Sequence, residues 1–145
     1  MEVKIIQSEE TRPLRFKVLW QHKANEESCV LDIDTRRDAI HIGAFEQGNL
    51  VSVASLFQMN NNALDHEKQY RLRAMASDPD FSGKGAGREV VLFSINLLRE
   101  QGNDVLWCDA REVALGFYEK LGFKVLSDWY EVPEIGPHKL MAYEL

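Results

Sequence analysis

Hydrophobic and polar residues alternate along the chain in short blocks that predict a succession of strands and helices. Blocks with a two-residue period, or rich in β-branched and aromatic residues, predict strands. The residues between positions 45 and 50, Glu46-Gln47-Gly48-Asn49, connect two such blocks and predict a hairpin. The predicted strands cover residues 3–7, 39–45, 50–57, 70–76, 104–110, 123–129 and 138–145, with a further short strand expected over 29–33.

Three other blocks show the spacing of an amphipathic helix. The first follows Ser8 or Thr11, either of which is expected to cap it, and has a proline in its first turn. The second opens at the glycines of residues 83–87 and continues with an apolar face. The third covers residues 111–121 and ends at Gly122, because glycine favours the left-handed conformation at a helix end.

Strands that alternate with helices, with hairpins towards both ends, predict an α/β domain. Its central sheet is expected to be mixed and mostly antiparallel, with helices flanking it. Residues 59–66 and 130–137 are predicted loops, but no linker, repeat or low-complexity tract divides the chain. At 145 residues the chain is therefore predicted to be a single domain, residues 1–145, with its own hydrophobic core.

The glycine-rich loop at residues 83–87 is the most informative stretch. Its three glycines leave the backbone open to a ligand, and the following helix directs free N–H groups and its positive dipole end toward the loop. A strand, a glycine loop and a helix N-terminus in this order predict an anion site, most often for phosphate. The dinucleotide pattern Gly-x-Gly-x-x-Gly is excluded because the glycines here have the spacing Gly-x-Gly-x-Gly. The Walker A pattern is excluded because Gly85 follows Lys84 where that pattern needs Ser or Thr.

Ser82-Gly83-Lys84-Gly85-Ala86-Gly87 resembles motif A of the GNAT superfamily of N-acyltransferases, Gln/Arg-x-x-Gly-x-Gly/Ala. The departure is Ser82, which stands where that family usually has Arg or Gln. Residues 106–111, Leu-Trp-Cys-Asp-Ala-Arg, and residues 114–123 resemble the family's motif B, in the expected order along the chain. Together the motifs cover about the last half of the chain, so the resemblance implies a GNAT-like fold that uses an acyl-CoA.

The resemblance assigns two groups of residues to acetyl-CoA, the acyl-donor cosubstrate. The backbone of Met75, Ala76 and Ser77 is expected to bind the amides of the pantetheine arm. The pyrophosphate is expected on the glycine loop and on two cations beside it, that is on Gly83, Lys84, Gly85, Ala86, Gly87 and Arg88. Ser82 is expected to weaken the binding of CoA without abolishing it, because backbone N–H groups do most of the binding in such a loop.

Tyr118 matches the tyrosine that protonates the CoA sulfur in many members of the family. A phenol with a pKa of about 10 is protonated at neutral pH and can donate to a thiolate. Tyr118 also shares an apolar helix face with Ala114 and Leu121, so a core tyrosine is the alternative.

The general base is open between Asp109, His138 and ordered water. Asp109 ends the predicted motif B strand, where a structural role is an equal alternative, and His138 resembles a histidine that faces the acceptor in some subfamilies. Arg71 and Arg73 share one face of the strand at 70–76, opposite Leu72, Ala74 and Ala76. They are candidates for binding a carboxylate of the acceptor, or else they pair with acidic residues of neighbouring strands.

Composition and residue spacing limit the classes of binding partner and the cellular setting that the sequence predicts. The net charge of −6 argues against general nucleic-acid binding, and no His, Cys or Asp cluster has the spacing of a metal site. Cys29 and Cys108 are far apart, which suits free thiols in the cytoplasm. No apolar run approaches the roughly 20 residues of a membrane span.

The sequence therefore predicts an acetyl-CoA-dependent N-acetyltransferase whose acceptor is the primary amine of a small molecule or peptide. The alternative is a non-catalytic acyl-CoA-binding or sensing module on the same fold, which Ser82 favours and Tyr118 opposes. A longer acyl or aminoacyl donor is a third reading. Dimers are common in the superfamily, so a homodimer is also expected, with the last strand as a candidate edge.

Overall fold

The computed structural model describes residues 1–145, which form eight strands and three α-helices joined by short 3-10 and π-helical turns. The strands are β1 (Glu2–Ile6), β2 (Ile40–Glu46), β3 (Asn49–Gln58), β4 (Gln69–Ser77), β5 (Val105–Arg111), β6 (Lys124–Val125), β7 (Tyr130–Val132) and β8 (Gly136–Glu144). The α-helices are α1 (Arg12–Leu14), α2 (Ala86–Glu100) and α3 (Leu115–Leu121).

The chain forms two compact units, and β4 contributes to both of them. The first unit comprises Met1–Phe57 and Leu72–Asn96. In it β1 pairs antiparallel with β2, β2 pairs antiparallel with β3, and β4 is the next strand. Its buried residues include one cluster that joins β1, α1, β3 and β4: Ile6, Leu14, Val53 and Ala76.

The second unit comprises Gln58–Arg71 and Leu97–Leu145. Here the first residues of β4 pair parallel with β5, and β5 pairs antiparallel with β8. The short strands β6 and β7 both pair antiparallel with β8. One parallel pairing among antiparallel ones confirms the predicted fold class, a mixed and mostly antiparallel sheet with flanking helices.

The predicted hairpin is confirmed as β2 and β3. Its two turn residues, Gln47 and Gly48, have φ values of 50° and 81°. Positive φ at both central residues is the geometry that matches the right-handed twist of a hairpin. The predicted helix end at Gly122 is also confirmed, with a φ of 105°.

The first helical segment begins one residue earlier than predicted. Ser8 does not cap it, and Thr11 stands at the N-cap position of α1 without a side-chain capping bond. Gln7 is the N-cap, and its N–H donates to Glu10 Oε2 at 2.7 Å. The segment passes from a 3-10 helix (Ser8–Thr11) through α1 into a π-helix (Arg15–Leu19).

The strand predicted over 29–33 is wrong, because residues 26–38 form turns around a buried ion pair. Arg15 is fully buried and its guanidinium donates to both carboxylate oxygens of Asp34, at 2.7 and 2.9 Å. It also donates to Ser55 Oγ, which contacts His41 Nδ1 at 2.7 Å. These contacts hold residues 29–34 to the helical segment and to β3, so the backbone there does not run as a strand.

Three predictions for the C-terminal third are also wrong. The strand predicted over 123–129 shrinks to β6, and the loop predicted over 130–137 contains β7, whose Tyr130 pairs with His138. The last strand, β8, is not an edge, since it pairs with β5 on one side and with β6 and β7 on the other. No helix has both the length and the apolar character needed to cross a membrane.

Candidate functional site

The glycine loop is exposed and has the backbone that only glycine adopts easily. Gly83 and Gly85 have φ values of +82° and +74°, and a Cβ added to either would meet no atom within 4 Å. α2 begins directly after them at Ala86, and Glu89 N–H already bonds to Gly85 O at 3.0 Å. The N–H groups at the very start of α2 are therefore left for another acceptor. Lys84 and Arg88 are exposed, and their charges favour an anion at this helix end.

A lysine forms salt bridges with two aspartates in the turn that precedes the loop. Lys17 Nζ lies 2.9 Å from Asp78 Oδ1 and 2.7 Å from Asp80 Oδ2. Asp78 also accepts the N–H of Asp80 at 2.9 Å. Hydrogen bonds to Asp80 and Asp78 raise the pKa of Lys17, and the bonds from Lys17 and from Asp80 N–H lower the pKa of Asp78. These contacts fix the 3-10 turn Pro79–Phe81, and the ammonium of Lys17 offsets one of the two negative charges just before the glycine loop.

β4 departs from the predicted alternation at Ala74. This alanine has a φ of +52°, a left-handed conformation that costs roughly 1–3 kcal/mol for a residue other than glycine. Ala74 and Met75 are both half-buried, Ala76 is buried, and Ser77 Oγ bonds to Ser52 Oγ at 2.8 Å. The pairing of β4 with β5 ends before this point, at Arg71 and Trp107. The predicted pantetheine-binding residues therefore follow a local break in the strand.

Asp109 is held by two donors. Arg71 Nη2 donates to Asp109 Oδ2 at 2.5 Å, and Tyr130 OH donates to Asp109 Oδ1. The Arg71 guanidinium also lies over the ring of Trp107, 5.0 Å from its centroid, and its Nη1 lies 3.3 Å from Met59 Sδ. At Arg71 the structure thus has the ion pair with a neighbouring strand. Arg73 lies half-buried further along β4.

His138 is buried beneath Tyr130. Its ring is stacked with that of Tyr130, with centroids 6.4 Å apart and an interplanar angle of 28°. Its Nδ1 lies 2.8 Å from Gly136 O. Because a carbonyl only accepts, Nδ1 carries the proton, and the neutral ring then has its lone pair on Nε2.

Tyr118 is buried on the other face of β5. Its ring packs against Phe117 and Phe123, with both centroid distances 5.1 Å. Burial raises the pKa of Tyr118 well above its usual value, and the Cys108 thiol adds to this. Cys108 and Asp109 are adjacent in the strand and point to opposite faces, so Tyr118 lies on the face away from Asp109.

Cys108 is unsuited to act as a nucleophile. The thiol is buried, and burial raises its pKa, with Asp109 adding to the rise. A thiol must ionise to attack, so Cys108 stays protonated and inert at neutral pH. Both cysteines are free, and no group of three or more His, Cys, Asp or Glu residues is arranged to hold a metal ion.

Three residues of this site were not singled out from the sequence. Tyr130 and Gly136 lie in the stretch predicted as a loop, and Lys17 lies on the exposed side of the first helical segment. The signal for Tyr130 was its period-two spacing with Val132 before a Pro and Gly turn, which is typical of a hairpin. Nothing in the sequence indicates the partners of Lys17, which are 61 and 63 residues away.

Comparison with known proteins identifies the family. Residues 4–123 match the family model described as Acetyltransferase (GNAT) family. A Bacillus subtilis (strain 168) protein named Uncharacterized N-acetyltransferase YitI is 34% identical over 141 residues, with 97% of this chain and 94% of that protein covered. Two solved structures share the fold. An aminoglycoside 6'-N-acetyltransferase complexed with coenzyme A has a TM-score of 0.78 at 14% identity, and the match covers 99% of this chain and 97% of the acetyltransferase chain. Escherichia coli ElaA has a TM-score of 0.76 at 19% identity, covering 99% of both chains.

Proposed function

This chain belongs to the GNAT acetyltransferase family, and from that premise we propose that it transfers the acetyl group of acetyl-CoA to a primary amine. The amine attacks the thioester directly, in a ternary complex. The observation that carries this proposal is the glycine loop at the start of α2, with Gly83 and Gly85 in left-handed conformations and open space where a Cβ would lie. Bare backbone and free N–H groups at the start of a helix suit a phosphate group, as the pyrophosphate of CoA requires.

The donor contacts follow from this loop and from the strand before it. The N–H groups of Gly83 to Arg88 bind the pyrophosphate, and the exposed side chains of Lys84 and Arg88 add positive charge. The backbone of Met75, Ala76 and Ser77 binds the pantetheine amides. The left-handed Ala74 supports this role, because it changes the course of the backbone just before those three residues.

In the chemical step the amine nitrogen forms a bond to the acetyl carbon, and the bond between that carbon and the CoA sulfur breaks. A base accepts one proton from the attacking nitrogen, and an acid gives one proton to the leaving thiolate. We assign His138 as the base, since the bond from Nδ1 to Gly136 O leaves Nε2 free to accept. Asp109 is the weaker candidate because both of its oxygens are already bonded. We assign Tyr118 as the acid, and its raised pKa means that the phenol carries its proton at neutral pH.

The acceptor is an amine of a small molecule or a peptide. Arg71 and Arg73 are proposed to bind a carboxylate of that acceptor, Arg71 through its ion-paired guanidinium. The acetyl-CoA requirement and the two free cysteines support a cytoplasmic setting. A homodimer would use β1, β6 or β7, which are the strands with an unpaired side.

A turnover assay separates the enzyme from the rival module that binds acyl-CoA without transferring it. The protein is mixed with acetyl-CoA and a panel of amines: an aminoglycoside, a polyamine, free amino acids and a peptide with a free N-terminus. Free CoA is followed with a thiol reagent, and acetylated product by mass spectrometry. We expect steady CoA release with at least one amine and its loss in Gly85→Glu. Tight binding of acetyl-CoA without release by any amine would favour the binding module.

A further inference from the structure

Four side chains of the second unit form one connected chain of contacts. It begins at Arg71 on β4, passes to Asp109 on β5, and continues to Tyr130 on β7 and His138 on β8. Each of the first two links is a hydrogen bond to a different oxygen of the same carboxylate. The third is a ring stack. The chain thus ties four strands together at the residue assigned above as the base.

Tyr130 is held more firmly than a surface tyrosine. Burial raises its pKa, and the hydrogen bond to Asp109 raises it further, so the hydroxyl stays protonated and keeps donating. Asp109 cannot turn away from it without giving up Arg71. The carboxylate therefore fixes the position of the phenol ring, and the ring in turn covers one face of the His138 imidazole.

Gly136 fixes the other degree of freedom of His138. It is the first residue of β8 and has a φ of +118°, a conformation that side chains other than glycine rarely adopt. In this conformation its carbonyl meets His138 Nδ1 at 2.8 Å. The carbonyl decides which nitrogen bears the proton, and the Tyr130 ring decides the plane of the imidazole.

We propose that Tyr130, anchored by Asp109 and Arg71, is a positioning residue that acts with Gly136 to present Nε2 of His138 to the acceptor amine. This inference rests on the proposed function. It gives Asp109 a role different from that of a base: Asp109 holds the tyrosine that orients the base. The charged groups on the strands around His138 include Arg111, which is its register partner on β5, Glu131 and Lys139 on the adjoining strand positions, and the Arg71–Asp109 pair that contacts Tyr130.

Imidazole nitrogen NMR on the full chain tests the positioning without any substrate. The chain has four histidines, and the His138 signals are assigned by their loss in His138→Gln. In the wild type we expect neutral His138 to carry its proton on Nδ1. In Gly136→Ala and Tyr130→Leu we expect the proton to be shared between both nitrogens. Tyr130→Phe keeps the stacked ring but loses the bond to Asp109, so it falls between. Tyr143→Phe, on the opposite face of β8 against Phe123, is the control and leaves the signals unchanged.

The kinetic readout uses acetyl-CoA and the amine that releases CoA fastest in the turnover panel. Tyr130→Leu is expected to lower kcat roughly 10- to 100-fold with little change in the KM for acetyl-CoA, because a misaligned base slows the chemical step and not donor binding. A proton on Nε2 in the wild type, or a Tyr130→Leu variant with unchanged tautomer and unchanged kcat, overturns the proposal. If no amine supports turnover, the proposed function fails, and the imidazole spectrum still decides whether Tyr130 and Gly136 orient His138.

Discussion

At the scale of single residues, Tyr118 is both a buried side chain and the proposed general acid. The phenol is 5% exposed, and its raised pKa means that it is protonated at neutral pH. Tyr118→Phe preserves the ring contacts with Phe117 and Phe123 and removes only the hydroxyl. We expect kcat to fall by roughly 100-fold, the usual contribution of a general acid. The affinity for acetyl-CoA, measured by titration calorimetry, should stay within a factor of about two, because the substitution leaves the proposed donor contacts on the glycine loop in place.

The outcome that contradicts the acid role is full turnover by Tyr118→Phe at saturating acetyl-CoA. The matched control is Tyr143→Phe, which removes a hydroxyl from a tyrosine packed against the same Phe123 ring. If both variants lose activity to the same extent, the loss reflects packing around Phe123, and Tyr118 is a core tyrosine.

Asp34 is the residue with the clearest effect on stability. Burial acts to raise its pKa, but the hydrogen bonds from Arg15 and from Leu31 N–H outweigh this and lower the pKa below its ordinary value of 3.8. Asp34→Asn leaves the buried Arg15 charge unpaired, so we expect a loss of about 3–5 kcal/mol in the free energy of unfolding. Urea unfolding measures it. Asp38→Asn, in the more exposed pair with Arg36, should cost less than about 1 kcal/mol.

The pH dependence of stability gives an independent check on Asp34. Because the folded-state pKa is lowered, the carboxylate contributes stability that is complete above the ordinary pKa of 3.8 and is lost as the pH falls through the folded-state value. Urea titrations below pH 4 should therefore show a steeper decline for the wild type than for Asp34→Asn. Parallel declines in the two proteins would show that Asp34 ionises alike in the folded and unfolded chain.

At the scale of elements, the turn before α2 depends on the π-helical segment Arg15–Leu19. Lys17 projects from that segment and pairs with Asp78 and Asp80, so its positive charge offsets one of the two negative charges that lie a few residues from the proposed pyrophosphate loop. We expect Lys17→Met to weaken acetyl-CoA binding several-fold, and more at low salt than at high salt, because the two carboxylates then repel the ligand without an ammonium beside them.

The second substitution separates charge from shape. Adding Asp80→Asn to Lys17→Met removes one unmasked carboxylate, so part of the lost affinity should return in calorimetric titrations. Lys4→Met, which removes an exposed cation on β1 paired with Glu2, is the control and should bind acetyl-CoA like the wild type. Equal affinity for acetyl-CoA in the wild type and in Lys17→Met would show that the salt bridges of Lys17 do not influence binding at the loop.

Elements defined by local signals were predicted well, and elements defined by distant partners were not. The β2–β3 hairpin and the helix end at Gly122 each follow from a few adjacent residues whose backbone preferences are strong. The stretch 26–38 was misread because its backbone follows Arg15 and Ser55, which lie elsewhere in the chain. β7 was missed because Pro133 and Gly136 indicate a loop, although they also suit the tight turn that joins two strands.

For the molecule as a whole, two short motifs predicted the fold, which is confirmed, and they are the basis on which the donor is proposed. The glycines at 83–87 and the motif B residues around Tyr118 could be recognised from the sequence because each motif consists of residues that are close together in the chain. The acceptor side was not predictable in the same way. Its candidates, Asp109 and His138, are 29 positions apart by sequence number, and their link through Tyr130 exists only once β5, β7 and β8 are aligned.

The central claim is that acetyl-CoA binds on the glycine loop, and titration calorimetry on three proteins tests it most directly. Gly85→Glu places a side chain and a negative charge at a position with a φ of +74° and no neighbour within 4 Å. Gly102→Glu makes the same change at the far end of α2, where φ is +81° and the surroundings are equally open. The strain and the added charge are thus matched.

We expect the wild type and Gly102→Glu to bind acetyl-CoA with similar dissociation constants in the micromolar range, and Gly85→Glu to show no measurable binding. Loss of binding confined to Gly85→Glu places the pyrophosphate on the loop. Absence of binding in the wild type, or unchanged binding in Gly85→Glu, contradicts the account, because the donor would then lack the site from which the rest of the proposed reaction is built.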